Sequence, residues 1–226
     1  METSSPHIIL GHTVMFTGYK FLGAVLIRPS ITKYYIDKID LNKLNNKQFI
    51  SNISNTLFYN IYINIINFID KIKSCIINNK CFNLYSNEFT KILINNYKKI
   101  ICSPYESTYR TPSKAKIMIE MPIISESLNN FYKKFNYIID KNMVPSSDHI
   151  SVELQFLSLL HAAMAGIIEI NLDYDSLNNL RIEFLRKHVY TWVPVLANCI
   201  YNNSKSTILK EIGLLINNLL DHEKYF

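Results

Sequence analysis

From Ile150 to Ala163 the chain is apolar on nearly every face of a helix. Ile150, Leu154, Leu157, Leu160 and His161 line one face, while Val152, Phe156, Leu159 and Ala163 fall on others. A helix with no wet side belongs at the centre of a core, with other elements wrapped around it. The rest of the chain supplies helices for that wrapping. Apolar residues at Ile53, Leu57, Ile61, Ile65, Phe68 and Ile72 recur every three or four positions, and Asn60, Asn64, Asn67 and Lys71 fall opposite them. Asparagine is a poor helix former, so burial must hold this helix. A further helix is predicted through Phe89, Ile92, Leu93, Tyr97, Ile100 and Ile101, ending at Cys102-Ser103-Pro104. Others are predicted over Ser125–Ile139, with Leu128, Phe131, Tyr132 and Phe135 inward, and through Leu177, Leu180, Phe184, Leu185 and His188. Thr191-Trp192-Val193-Pro194 turns the chain, and two more helices end near Leu220. Only five glycines occur, and strand-rich folds need glycine for tight turns. The expectation is an all-α fold, one globular bundle of about 9–12 helices. Its single domain covers 1–226, with an N-terminal part to about 140, a polar hinge over about 140–148 holding Pro145, and a C-terminal part from about 149.

Hydrophobic residues make up 48% and charged residues 19%, which excludes a disordered chain. The formal charge of +6 admits a compositional bias or a nucleic-acid partner. The lysines are scattered as Lys98-Lys99, Lys114 with Lys116, and Lys133-Lys134, with no basic stripe along one helix. No nucleic-acid partner is therefore expected. Cys75, Cys81, Cys102 and Cys199 contain no Cys-x-x-Cys and do not read as a disulfide framework, so a reducing compartment, the cytoplasm, is expected. Residues 8–27 are apolar but carry His12 and Lys20, with no basic run before them. They read as a buried first helix closed by Arg28-Pro29-Ser30, and neither a membrane span nor a signal peptide is expected.

Short phosphate-binding, hydrolase-elbow and zinc-protease signatures are absent. The most informative stretch is Pro145-Ser146-Ser147-Asp148-His149. Ser146 or Ser147 is the expected N-cap of the central helix, with Asp148 in its first turn. Neighbours on a helix point about 100° apart, so Asp148 is badly placed to orient His149 as in a catalytic triad. His149 and Glu153 share a face at i, i+4, which suits a capped helix with a side-chain pair, a polypeptide-binding site, or two metal ligands lacking a third. Asp173-Tyr174-Asp175 lacks the glycine and closing glutamate of a calcium loop and reads as a capped loop within Asn171–Ser176. Trp192, the only tryptophan, is either core or one wall of an apolar binding surface.

Four stretches in this order resemble the redox-enzyme maturation chaperones, the TorD, DmsD and NarJ family. They are Tyr19 to Ile27 closed by Arg28-Pro29; Tyr105-Glu106-Ser107; Pro145 to Ile150 followed by Glu153-Leu154-Gln155-Phe156-Leu157; and Phe184 to His188 with Trp192-Val193-Pro194. Asn136 stands where that family commonly has glycine, and Asn42 to Lys91 matches only in helical pattern. The resemblance implies an all-α, TorD-like fold, no catalysis, no cofactor and no bound metal. It implies a cytoplasmic chaperone that binds the precursor of a molybdopterin oxidoreductase catalytic subunit, often at a twin-arginine signal peptide, until the cofactor is inserted. Asp148 and His149 match the motif tied to signal-peptide binding, and Tyr105, Glu106 and Ser107 match the second motif. Paired arginines need carboxylates, which Glu106, Asp148 and Glu153 supply, and an apolar run needs a groove, which Phe156 and Trp192 line. A local acidic patch on a basic protein is therefore expected. Monomer and swapped homodimer both remain open. The alternative is a helical adaptor or regulator that binds another protein without a maturation role.

Overall fold

The computed structural model describes residues 6–94, 100–110, 114–144 and 146–226, with 114–118 by backbone alone. The described residues are all-α and contain no strand. Helix α1 (Pro6–Val25) buries Val14, Met15, Tyr19 and Leu22 and leaves Lys20 exposed. It is long and apolar enough to cross a membrane by length and composition, yet 61% of its apolar window is buried within the fold. It stops where expected, and Pro29 then opens α2 (Pro29–Lys38), where a missing N–H costs nothing.

The short helices α3 (Leu41–Leu44) and α4 (Lys47–Ile53) are capped by Asp40 and Asn46. The continuous helix predicted from Ile53 is broken: α5 (Tyr59–Ile77) starts afresh, and Leu57 is 64% exposed while Phe58 is buried. Thr56 causes the break. Its hydroxyl donates to the Ile53 carbonyl and accepts from the Phe58 amide, a local alternative to the helical ladder. From Ile61 onward the predicted face holds: Ile61, Ile65, Phe68 and Ile72 are buried, and Asn60, Asn64, Asn67 and Lys71 are exposed.

Helix α6 (Asn79–Phe89), capped by Asn78, runs into a π-helical turn at Thr90–Ile94. The predicted continuation fails beyond it. Ile101 is exposed, because the Cys102 amide turns back to the Ile92 carbonyl at 3.0 Å; Tyr97 lies outside the described residues. After α7 (Ser107–Arg110) comes α8 (Lys114–Lys134), which starts well before the predicted Ser125. Its end is a Schellman motif. The Tyr137 amide reaches the Tyr132 carbonyl at 2.9 Å, and the Asn136 amide reaches that of Lys133 at 3.1 Å. Asn136 takes φ 50°, the left-handed region that glycine favours and asparagine tolerates.

The all-round apolar segment is α9 (Ile150–Met164), and it packs along α1 at the centre of the molecule. A Cβ at Gly23 would lie 2.7 Å from Gln155 Cγ and 3.1 Å from the Ser151 carbonyl oxygen, so that close crossing requires glycine. Asp173 caps α10 (Tyr174–Phe184), which begins inside the stretch Asn171–Ser176 expected to be a loop, and a second π turn, Leu185–Val189, follows. Trp192 precedes α11 (Val193–Asn203), which packs on α12 (Thr207–His222). A 3-10 turn at Glu223–Tyr225 follows.

The cysteines correct the sequence expectation. They pair as Cys75–Cys81 and Cys102–Cys199, with Cα–Cα separations of 5.2 and 5.7 Å. Separations of 6 and 97 residues hid both pairs, because helix packing, not spacing, brings Cys102 to Cys199.

Candidate functional site

The Tyr105-Glu106-Ser107 and Asp148-His149 segments meet directly. They form an isolated antiparallel bridge, Tyr105 with His149. The Glu106 amide donates to the Asp148 carbonyl at 2.9 Å, and the Ile150 amide to the Pro104 carbonyl at 2.8 Å. The Tyr105 and His149 rings lie edge to face at 5.2 Å. This pairing keeps the chain extended through His149 and moves the helix start. The N-cap is therefore His149, whose Nδ1 accepts from the Ser151 amide at 3.2 Å and contacts Ser151 Oγ at 2.7 Å. Ser146, Ser147 and Asp148 do not cap α9 as the sequence suggested. Asp148 instead accepts from the Ser107 amide at 3.2 Å and from the Ser146 hydroxyl. Its carboxylate thus serves the opposite segment.

Glu106 stands at the middle of the cluster. Its two oxygens face Arg110 at 2.5 Å and His188 Nδ1 at 2.9 Å. His188 Nε2 in turn meets Ser127 Oγ at 2.8 Å, tying α8 to the second π turn. Glu153 does not pair with His149. Trp192 Nε1 donates to its Oε2 at 3.2 Å, and Oε1 is buried with no hydrogen-bond partner among the described residues. Tyr132 donates to the Ser147 carbonyl at 3.0 Å and holds the linking segment down. Phe156 is fully buried among Tyr132 and Phe184, with ring centroids 5.0 and 4.9 Å away.

Burial dominates the electrostatics. Glu106, Asp148 and Glu153 are all 0% exposed, so the acidic groups form an internal cluster and not the expected surface patch. Burial, reinforced by the charge of Glu106, pushes Glu153 well above the usual carboxylate range. Burial lowers His149 to about 4, against a smaller upward pull from Asp148, so the ring is neutral and Nδ1 is free to accept. Among the described residues three carboxyl groups here meet one guanidinium, that of Arg110, and two imidazoles, His149 and His188, of which only His188 contacts a carboxylate. Among the described residues no His, Cys, Asp or Glu group has metal-holding geometry.

All eight residues picked from the sequence lie in or against this cluster, but every one except Tyr105 is buried. Sequence reasoning missed Arg110, Ser127, Tyr132 and Ser151. Only Arg110 carried a local signal, its i, i+4 spacing from Glu106.

A sequence model described as nitrate reductase delta subunit matches residues 68–198, more than half of the chain. The chain belongs to the nitrate reductase delta subunit family. The family match contains every residue of the cluster, from Tyr105 to Trp192. It leaves α1 and α12 outside, so the axis partner of α9 is not part of the family match. No curated protein and no solved structure matches the chain.

Proposed function

We propose that this protein is a cytoplasmic maturation chaperone that holds the precursor of a molybdopterin oxidoreductase catalytic subunit until the cofactor is inserted. Membership of the nitrate reductase delta subunit family supports the maturation role. The observation that carries the binding reading is, among the described residues, the surplus of carboxyl groups at the bridge, with Glu153 Oε1 unpartnered. An arginine pair from a client leader offers the missing positive charge, and the apolar surroundings of Phe156 and Trp192 suit the apolar run that follows. Because the cluster is buried, entry requires the bridge segments to part, with the link over about 140–148 as the hinge. Pro145, the centre of that hinge in sequence, lies outside the described residues. Two disulfides stand against a reducing cytoplasm. Thiol titration of protein taken directly from cells decides between the two settings.

The test is capture of a client precursor by the full chain, compared with the same client lacking its leader. The expected result is capture that falls by the equivalent of roughly 2–5 kcal/mol when Glu153 becomes Gln, the range for losing one buried charged hydrogen bond. Equal capture by folded wild type and Glu153→Gln removes the site assignment. No capture of any precursor removes the maturation reading and leaves a helical adaptor.

A further inference from the structure

The buried cluster already holds one guanidinium, and holds it lightly. Arg110 comes from α7, a single turn of four residues, and its side chain is 31% exposed while Glu106 is fully buried. It reaches Glu106 Oε1 at 2.5 Å, but that oxygen accepts no well-directed hydrogen bond among the described residues. Neither partner depends on the contact for its place. Glu106 is set by its amide, which donates to the Asp148 carbonyl at 2.9 Å, and by His188 on its other oxygen, itself braced on Ser127. Turn α7 is set by the Ser107 amide on Asp148, by Ser103 Oγ and Thr108 Oγ1 at 2.9 Å, and by Tyr109 against Trp192 at 5.4 Å. A local i, i+4 pair on one helical turn adds little to these anchors.

A second buried oxygen asks for the same chemistry. Glu153 Oε1 has no hydrogen-bond partner among the described residues. Burial and then Glu106 push Glu153 up, and Arg110 pulls it back, so the three groups share one electrostatic site. That site offers two under-served carboxyl oxygens to a planar cation with five donors.

We propose that Arg110 is an internal stand-in for a ligand's arginine: it occupies a guanidinium site on Glu106 and swings out when an arginine of a partner polypeptide takes its place. The exchange trades one guanidinium for another, so Glu106 is never left as a bare buried charge. Arg110 thereby sets the threshold for capture, because only the fraction of molecules with Arg110 displaced is open to the ligand. Arg186 and Lys187 line the outer cleft with Arg110, so the ligand's arginine enters from the bridge side. The inference rests on the leader reading for the identity of the ligand, and not for the existence of the guanidinium site.

The experiment uses the full chain and two probes. The first is guanidinium chloride at low millimolar concentration, read by Tm against equal sodium chloride. Arg110→Ala empties the site, and guanidinium near its Kd is expected to raise the Tm of this variant by about 1–2 °C and to leave wild type unchanged. The second is a fluorescent peptide of two adjacent arginines followed by leucines, titrated by anisotropy. Arg110→Gln is expected to bind it roughly tenfold tighter than wild type, while Arg186→Gln, the same charge change at an exposed side chain, binds it as wild type does. Arg110→Lys keeps a positive charge beside Glu106, so folding is retained, and is expected to tighten binding by less. The inference is overturned if guanidinium leaves Arg110→Ala unchanged, or if wild type binds the peptide and neither Arg110→Gln nor Arg110→Lys binds it tighter. Equal tightening in Arg186→Gln also overturns it, since net charge alone then explains the gain. A guanidinium effect with no peptide binding by any variant removes the leader reading and keeps the guanidinium site.

Discussion

The central helix carries a buried polar cluster near each end, and the two are built on opposite plans. Near its start, Glu106, Asp148 and Glu153 crowd beside Arg110, His149 and His188, and an oxygen of Glu153 is left without a partner among the described residues. Near its end, His161 Nε2 meets Glu223 at 3.0 Å, Arg181 pairs with the same carboxylate, and His161 Nδ1 meets His12 Nδ1 at 2.8 Å. Tyr174 closes that chain on His12 Nε2 at 3.0 Å. One proton order satisfies it throughout: Tyr174 donates to His12, His12 to His161, and His161 to Glu223. Burial pushes Glu223 up, but His161 and Arg181 more than offset it and hold the group below the usual range. The far cluster is thus a charge-paired network that staples α1, α9 and α10 to the C-terminal turn, although the buried Tyr19 hydroxyl beside His161 has no hydrogen-bond partner among the described residues. The near cluster is incomplete, and incompleteness in a buried network is where a ligand has something to add.

The largest expected effect comes from breaking the charge-paired network. Arg181→Ala leaves Glu223 buried without its guanidinium and is expected to cost about 3–5 kcal/mol, read as a drop in Tm. Next is Cys199→Ser, which opens the link across 97 residues and is expected to cost roughly 2–4 kcal/mol under oxidising conditions. Cys81→Ser opens a link across only 6 residues and is expected to cost less. Amide exchange sharpens the contrast: Cys199→Ser should raise exchange at Glu106 while leaving the His161 region protected. Trp192→Phe comes third. It removes the one donor to Glu153 and is expected to cost about 1–3 kcal/mol.

The smallest effect is the most diagnostic. Glu153 is raised in the folded state, so the folded protein binds more protons, and its contribution to stability falls as pH rises above the unfolded carboxylate value. Glu153→Gln removes that fall. It is expected to be within about 1 kcal/mol of wild type near pH 4.5 and more stable than wild type at pH 8, by urea denaturation at both values. A variant less stable than wild type at pH 8 shows instead that the ionised carboxylate is satisfied. The histidines give the opposite slope. His12 is lowered to about 2 and His149 to about 4, chiefly by burial, so both contribute stability that is lost as pH falls below about 6.5.

The sequence showed the central helix plainly, because an element with no polar face has one place to go. It showed the meeting of Tyr105-Glu106-Ser107 with Asp148-His149 only through resemblance, since nothing in local spacing joins segments 41 residues apart. The cap was misplaced for the same reason: Ser146 and Ser147 suit an N-cap by type, but the long-range bridge keeps the chain extended past them to His149. The charge-paired cluster went unread although its members were visible. His12 counted only against a membrane span and His161 only as part of an apolar face. A polar side chain inside an apolar helix implies a buried partner, and that signal was available at both positions.

The bridge between Tyr105 and His149 also organises what lies between its ends. Pro104, Glu106, Asp148 and Ile150 clasp the neck of an excursion that contains all of α8. An excursion held at its neck is a unit that can loosen while its base stays shut. Under native exchange the amides of Glu106 and Ile150 therefore belong with the slowest core of α9, while those around exposed Ile119 and Ile123 of α8 open earlier. The clasp makes α8 a separable layer of stability on an otherwise cooperative bundle.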